Sequence, residues 1–201
     1  MTQGAPLLPA LPFSLRWLGE PAEASADAGL LRVAAGPKTD WFVHPGTGEA
    51  NLRAPALVGR VGGDFVLAAR VEVQFAATYD AGALVLWEDE RSWAKLCLEY
   101  SPQQKPTIVS VVTRGTSDDC NSAVCDHDGA WLRVARIGAA CVFHSSKDGR
   151  RWDFVRHFRL DGEGDAEVGF EAQSPLGEGC SATFSEIRFE AVTLADLRSG
   201  E

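Results

Sequence analysis

The chain has 201 residues, 45% of them hydrophobic and 23% charged, the balance of a folded globular protein rather than of a disordered or fibrous one. That length suits one domain, residues 1–201 as a single large β-sandwich, better than two independent ones. A formal net charge of −9 opposes the counterion-release binding by which basic proteins hold nucleic acid or anionic lipid, so neither nucleic acid nor a membrane is an expected partner.

No run of about 18 apolar residues marks a helical membrane span. The opening "MTQGAPLLPALPFSL" lacks a basic n-region, and Pro6, Pro9 and Pro12 interrupt its apolar residues, so a cytoplasmic location is the expectation. Taken in chain order, "GLLRVAAG" (29–36) and the short "WFVHP" (41–45) read as strands near the N-terminus. In "FVLAARVEVQF", Phe65, Leu67, Ala69, Val71, Val73 and Phe75 share one face while Arg70, Glu72 and Gln74 share the other, the alternation of a half-buried antiparallel strand. "GALVLWEDERSWAKLCLEY" reads as a hairpin: apolar residues 83–87, a charged turn from Glu88 to Arg91, and a returning strand from Ser92 to Tyr100.

Strands follow at 107–114, 130–138, 140–146, 152–160, 166–174 and 181–192, leaving 193–201 as a tail or a single helical turn. In "SSKDGRRW" the Asp148-Gly149 pair signals a type I′ hairpin turn. Helical periodicity is almost absent and no fixed repeat is visible, which disfavours propellers and solenoids. Strands this numerous must stack as two sheets or close as a barrel, and an all-β, two-sheet jelly roll is the expected fold.

The order "TDWF", "AGALVLWEDERSWAKLCLEY", "SVVTRGTSDD", "WLRVAR", "SKDGRRWDFVR" and "VGFEAQSPLGEGCSATFSEIRFE" resembles the regulation-of-enolase-like, or YesU-like, domains. The resemblance spans about residues 11–192, and these domains are similar to the concanavalin A-like lectin and glucanase superfamily. It implies a jelly-roll sandwich with one concave sheet and implies no reaction, because a shared fold does not fix chemistry.

Alternation in "WAKLCLEY" sets Trp93, Lys95, Cys97 and Glu99 on the face opposite Leu96, Leu98 and Tyr100. In "EVGFEAQS" it sets Glu167, Glu171 and Gln173 opposite Val168, Phe170 and Ala172. Each polar face read alone is an ordinary solvated one. The resemblance puts both on the concave sheet, where Lys95, Glu99, Glu171 and Gln173 would hydrogen-bond a carbohydrate or other small polar ligand. There Trp41 or Trp93 would stack on it, and Asp40 and Arg133 would orient it. For Trp41 the competing reading is core packing, and "WLRVAR" leaves either Arg133 or Arg136 to point inward.

A sugar-active enzyme using a cross-strand carboxylate pair is the alternative, with Glu99 and Glu171 as its candidates. The Glu-x-Asp-x-x-Glu run of the superfamily's glucanases is missing. Glu167 and Glu171, four residues apart at about 3.3 Å each, sit roughly 13 Å apart, beyond the ~5–9.5 Å of glycosidase pairs. A third reading is a protein-interaction or regulatory module presenting a sheet edge or an aromatic patch. No oligomeric state is signalled.

The segment "TRGTSDDCNSAVCDHDG" (113–129) holds Cys120, Cys125 and His127, ligand types for zinc, but Cys-x4-Cys-x-His lacks a fourth ligand and the usual short spacing. It reads instead as a polar loop joining strands 107–114 and 130–138, with Ser117 and Asp118 bonding nearby backbone. The five cysteines are an odd set without framework spacing and read as reduced thiols. No metal, cofactor or hydrolase triad is expected.

Overall fold

The computed structural model describes residues 4–125, 129–162 and 166–201. Its strands are β1 (Arg16–Leu18), β2 (Glu23–Asp27), β3 (Leu30–Ala35), β4 (Trp41–Val43), β5 (Ala50–Leu52), β6 (Ala56–Val61), β7 (Phe65–Gln74) and β8 (Ala81–Asp89). They continue as β9 (Ser92–Tyr100), β10 (Pro106–Arg114), β11 (Thr116–Val124), β12 (Gly129–Ile137), β13 (Ala140–Ser146), β14 (Asp153–Phe158), β15 (Ala166–Gln173) and β16 (Cys180–Glu190). The described residues contain no helix.

Two seven-stranded antiparallel sheets form the sandwich, the first in the order β1-β6-β15-β8-β9-β10-β11 and the second β14-β13-β12-β7-β16-β3-β2. The alternation that predicts the strands also builds the core. Leu84, Leu86, Leu96, Leu98, Ile108, Val168 and Phe170 of the first sheet meet Leu67, Ala69, Val71, Leu132, Val134 and Phe184 of the second, all in one buried cluster. The all-β two-sheet expectation holds, and the predicted strands from 65 onward recur with shifts of a residue or two at their ends.

The first sheet carries a second apolar cluster on its outer face: Ala56, Val58, Ala81, Ala83, Val85, Trp93, Cys97, Val109 and Val111, with Trp41 laid over them. A two-stranded β4-β5 hairpin delivers Trp41 to this face. The hairpin is pinned at one end by the Thr39–Ser174 bridge and at the other by Ser117 Oγ, which accepts the Val43 N–H at 2.9 Å.

Several sequence expectations need correction. Residues 116–124 are not a loop but strand β11, paired with β10 through Ser110↔Cys120, Val111↔Asp119 and Thr113↔Ser117. It is an edge strand with eight of its nine residues exposed, so burial imposed no apolar alternation on it. Ser117 does bond backbone, but that of the β4-β5 hairpin rather than of its own neighbours. His127 lies outside the described residues. Strand β6 escaped notice because both its faces are covered, which turns alternation into the continuous run "ALVGRV".

The turn after β13 is not type I′. Gly149 has φ +68°, but it is the only residue of that turn with positive φ, whereas type I′ needs two. The loop is closed instead by Ser146 Oγ, which accepts the N–H groups of Asp148 and Gly149, and by Asp148 Oδ1, which accepts those of Arg150 and Arg151. The tail is packed down rather than frayed: Leu194 and Leu197 pack on Val66, Ala135 and Val142, on the outer face of the second sheet, and the Gly200 N–H donates to the Asp196 carbonyl at 2.9 Å, closing one turn.

Candidate functional site

Strand β9 turns Trp93, Lys95, Cys97 and Glu99 to the outer face of the first sheet, and β15 turns Glu167, Gly169, Glu171 and Gln173 to the same face. Between them runs β8, in the registers Ala83↔Cys97 and Ala81↔Glu99 on one side and Glu171↔Ala83 and Gln173↔Ala81 on the other. Alanines at 81 and 83 keep the intervening strand low, so the long Lys95 side chain spans it. Its Nζ donates to Gln173 Oε1 and to Asp40 Oδ1 at 3.1 Å, and lies 3.9 Å from Glu171 Oε1.

The remaining bonds hold this constellation still. Gln173 Nε2 donates to the Tyr79 carbonyl at 3.0 Å. The buried Asp80 carboxylate accepts the N–H groups of Ala76 and Ala77 at 2.8 Å each and the Ser174 hydroxyl at 2.6 Å. Tyr79 itself has φ +70°, a left-handed backbone that a bulky residue adopts only when its surroundings enforce it, at a strain of about 1 kcal/mol or more. Here the enforcing contact is the Tyr79 N–H bonded to the Tyr100 carbonyl at 2.7 Å.

Above Lys95 opens a pocket of ≈ 350 Å³ whose polar lining is Asp40, Lys95, Glu99, Asp119 and Gln173, with Phe42, His44, Tyr79, Val109 and Val111 completing the wall. Lys95 is 1% exposed yet stays charged: burial works against the ammonium, but Glu171 and Asp40, with Glu99 further off, hold its pKa above the ordinary lysine value. Burial pushes Glu171 up to about 7 against the pull of Lys95, with Asp40 adding to the rise. Glu99 is pushed to about 7 in the same way, burial first and Lys95 opposing, with Asp40 and Asp119 adding to it. Both oxygens of Glu171 are buried without a hydrogen-bond partner among the described residues, so its stability rests on Lys95.

The structure thus brings together Asp40, Lys95, Glu99, Glu171 and Gln173 of the sequence candidates, with Glu171 beneath the pocket rather than in its wall. Three candidates fall elsewhere. Trp41 is 1% exposed and Trp93 fully buried, with ring centroids 5.7 Å apart. Trp41 also packs on Trp87 at 4.8 Å, and its indole N–H donates to the Ala54 carbonyl, so neither Trp41 nor Trp93 offers a free ring face. Arg133 belongs to the second sheet, paired across from Ala68 and His144, and points away from this site. The aromatic walls the sequence reading missed are Phe42, next to Trp41 on the covering hairpin, and Tyr79. Phe42 was legible in principle, because a strand that buries Trp41 must turn its neighbour the other way.

Glu99 and Glu171 stand on strands two positions apart and two residues out of register, which separates their Cα atoms by roughly 12 Å. Among the described residues no cluster of three or more His, Cys, Asp or Glu side chains is arranged to hold a metal ion.

A family model described as "Protein of unknown function (DUF1349)" matches residues 17–192. Regulation of enolase protein 1 from Saccharomyces cerevisiae is 27% identical over 172 residues, covering 85% of this chain and 86% of its own length. The crystal structure of a functionally unknown protein from Saccharomyces cerevisiae superimposes with a TM-score of 0.83 at 25% identity, covering 90% of this chain and 97% of that one. Xylan beta-1,4-xylosidase from Bacillus halodurans C-125 shares the fold at a TM-score of 0.66 and 14% identity, with 81% of this chain matched to 33% of that much longer one.

Proposed function

The chain belongs to the DUF1349 family of proteins of unknown function, and on that premise we propose that the pocket above Lys95 binds a small uncharged ligand rich in hydroxyl groups, of the carbohydrate class. The observation that carries this reading is the lining itself: a fixed array of acceptors and one buried cation on a rigid sheet, flanked by Phe42 and Tyr79. A pocket of ≈ 350 Å³ lies at the lower end of the range for small-molecule sites. Hydroxyls donate, so they match the acceptors Asp40, Asp119 and Gln173, of which Lys95 holds Asp40 and Gln173 in place. Glu99, with its pKa pushed to about 7, offers either role near neutrality.

Charge narrows the class. Asp40, Glu99 and Asp119 outnumber Lys95, whose ammonium already serves Asp40, Gln173 and Glu171, so a sugar phosphate would meet net repulsion. Phe42 and Tyr79 supply the apolar faces on which the C–H side of a sugar ring rests. The fold shared with a xylosidase is consistent with a carbohydrate ligand and supplies no residue-level argument.

The test is a thermal-shift and calorimetric series of neutral mono- and oligosaccharides beside their phosphorylated counterparts, since a ligand selective for the folded state raises its stability. A neutral sugar that stabilises the protein, loses its effect in Asp40→Asn and outperforms its phosphate ester is the expected result. Failure of every neutral sugar, or a response untouched by substitutions in the lining, overturns the reading.

A further inference from the structure

We infer that the outer face of the second sheet holds a separate binding site for a small organic carboxylate, anchored by Arg133. Strand β12 places Arg133 between Ala68 and His144, on the face opposite the Leu132 and Val134 of the sandwich core. The residue is 6% exposed, and its guanidinium carbon lies 4.2 Å from the centre of the Trp152 ring. Stacking of this kind orients a guanidinium but leaves its in-plane N–H groups unused. Both Nε and Nη2 of Arg133 are buried without a hydrogen-bond partner among the described residues.

Those two nitrogens form one edge of the guanidinium, and their parallel N–H bonds match the two oxygens of a carboxylate. Arg133 lines a cavity of ≈ 170 Å³ whose apolar lining is Val66, Ala68, Val192 and Leu194 and whose charged lining also includes Arg188 and Glu190, with Gly200 of the tail, a residue without a side chain, packed against Arg133 Nη2. Arg188 is already paired with Glu186 at 3.2 Å, so Arg133 is the cation left for a ligand, and Glu190 penalises a dianion more heavily than a monoanion. The aliphatic wall gives a short apolar tail somewhere to rest, which inorganic phosphate does not need. Burial pulls the Arg133 pKa down to about 10, with Glu190 opposing, so the group is cationic at neutral pH.

The neighbouring His144 does not compete for the ligand. Its Nε2 lies 2.9 Å from the Leu197 carbonyl, which can only accept, so the ring proton sits there. Its Nδ1 is then a bare acceptor, and burial, followed by the charge of Arg133, holds its pKa near 4 and the ring neutral. This site lies on the opposite sheet from the pocket above Lys95 and does not depend on what that pocket binds.

The experiment is a titration of the full chain with butyrate, inorganic phosphate and n-butanol, followed by nitrogen-15 NMR at the Arg133 Nε–H and the Trp152 indole N–H. Saturable shifts of both resonances with butyrate in the millimolar range, absent with butanol, are expected. Arg133→Lys, which keeps the charge and removes the paired edge, should weaken butyrate binding about tenfold or more. The wild-type titration stands even if that variant folds poorly. No saturable shift with butyrate, an equal response to butanol, or tighter binding of phosphate at the same resonances overturns the assignment.

Discussion

Lys95 Nζ lies 3.1 Å from Asp40 Oδ1 across 55 residues of sequence, joining the fourth position of β9 to the residue that precedes the covering hairpin. The same ammonium sits 3.9 Å from Glu171, so one buried cation compensates a carboxylate at the rim and another on the floor. Removing it leaves Glu171, whose side chain has no exposed surface, as an uncompensated buried charge.

Lys95→Met should therefore destabilise the fold by about 3–5 kcal/mol, the range for breaking a buried ion pair from one side. Adding Glu171→Leu should recover most of that loss, because the stranded charge disappears with its partner. Urea unfolding of the two variants and the wild type measures both effects. A double variant no more stable than the single one would refute the coupling.

The raised carboxyls of Glu99 and Glu171 make a pH prediction whose sign is opposite to ordinary acid denaturation. An unfolded glutamate titrates near 4.5, whereas these two titrate near 7 when folded, so the folded chain binds more protons between those values. Their contribution is fully present below pH 4.5, declines as pH rises toward 7, and is level above that. Lys95, whose pKa is raised, contributes stability that is lost only above pH 10.5. The lowered carboxyls of Asp64, Asp148 and Asp196 lose their contributions only as pH falls through and below 3.8. His144, held near 4 when folded against 6.5 unfolded, works the other way between those values, but two glutamates outweigh one histidine, so denaturant midpoints across pH 5–7 should fall with rising pH and Glu171→Gln should flatten the slope.

Gly169→Ala tests the closeness of β15 to β6. A Cβ there would lie 1.9 Å from the Leu57 carbonyl oxygen, a backbone atom that cannot turn aside. The substitution should destabilise by about 3 kcal/mol or more, through displacement of a strand that carries Glu171 and Gln173. An alanine variant with an unchanged melting temperature would contradict the packing described.

For the carbohydrate reading, Phe42→Ala removes an apolar wall of the pocket without touching its polar network. Its side chain is half-buried on the covering hairpin, so the fold should lose little while sugar affinity drops about tenfold, the worth of one aromatic contact. Calorimetric titration of whichever neutral sugar stabilises the wild type measures the change.

How much of this was written in the sequence depends on what each signal reports. Alternation tells which residues share a face of one strand, so the sets Lys95–Glu99 and Glu171–Gln173 were legible. It is silent on what covers that face, and Trp93, alternating with charged residues, looked exposed until the β4-β5 hairpin lay over it. Nor does it say to which sheet a strand belongs, and Arg133 was assigned to the wrong one for that reason. Strands β6 and β11 defeat the same signal from opposite ends, one covered on both sides and the other on almost none.

The strand order also sets a timetable for synthesis. Strand β15 is inserted between β6 and β8, and β16 between β3 and β7, so the last two strands made occupy interior places in both sheets. Until residues 166–190 have left the ribosome, neither sheet is continuous, and four apolar strands present unpaired edges to whatever is nearby. The two sheets accordingly close only once β15 and β16 have been made, and any message truncated before β15 encodes a product with two open sheets and no means of closing them.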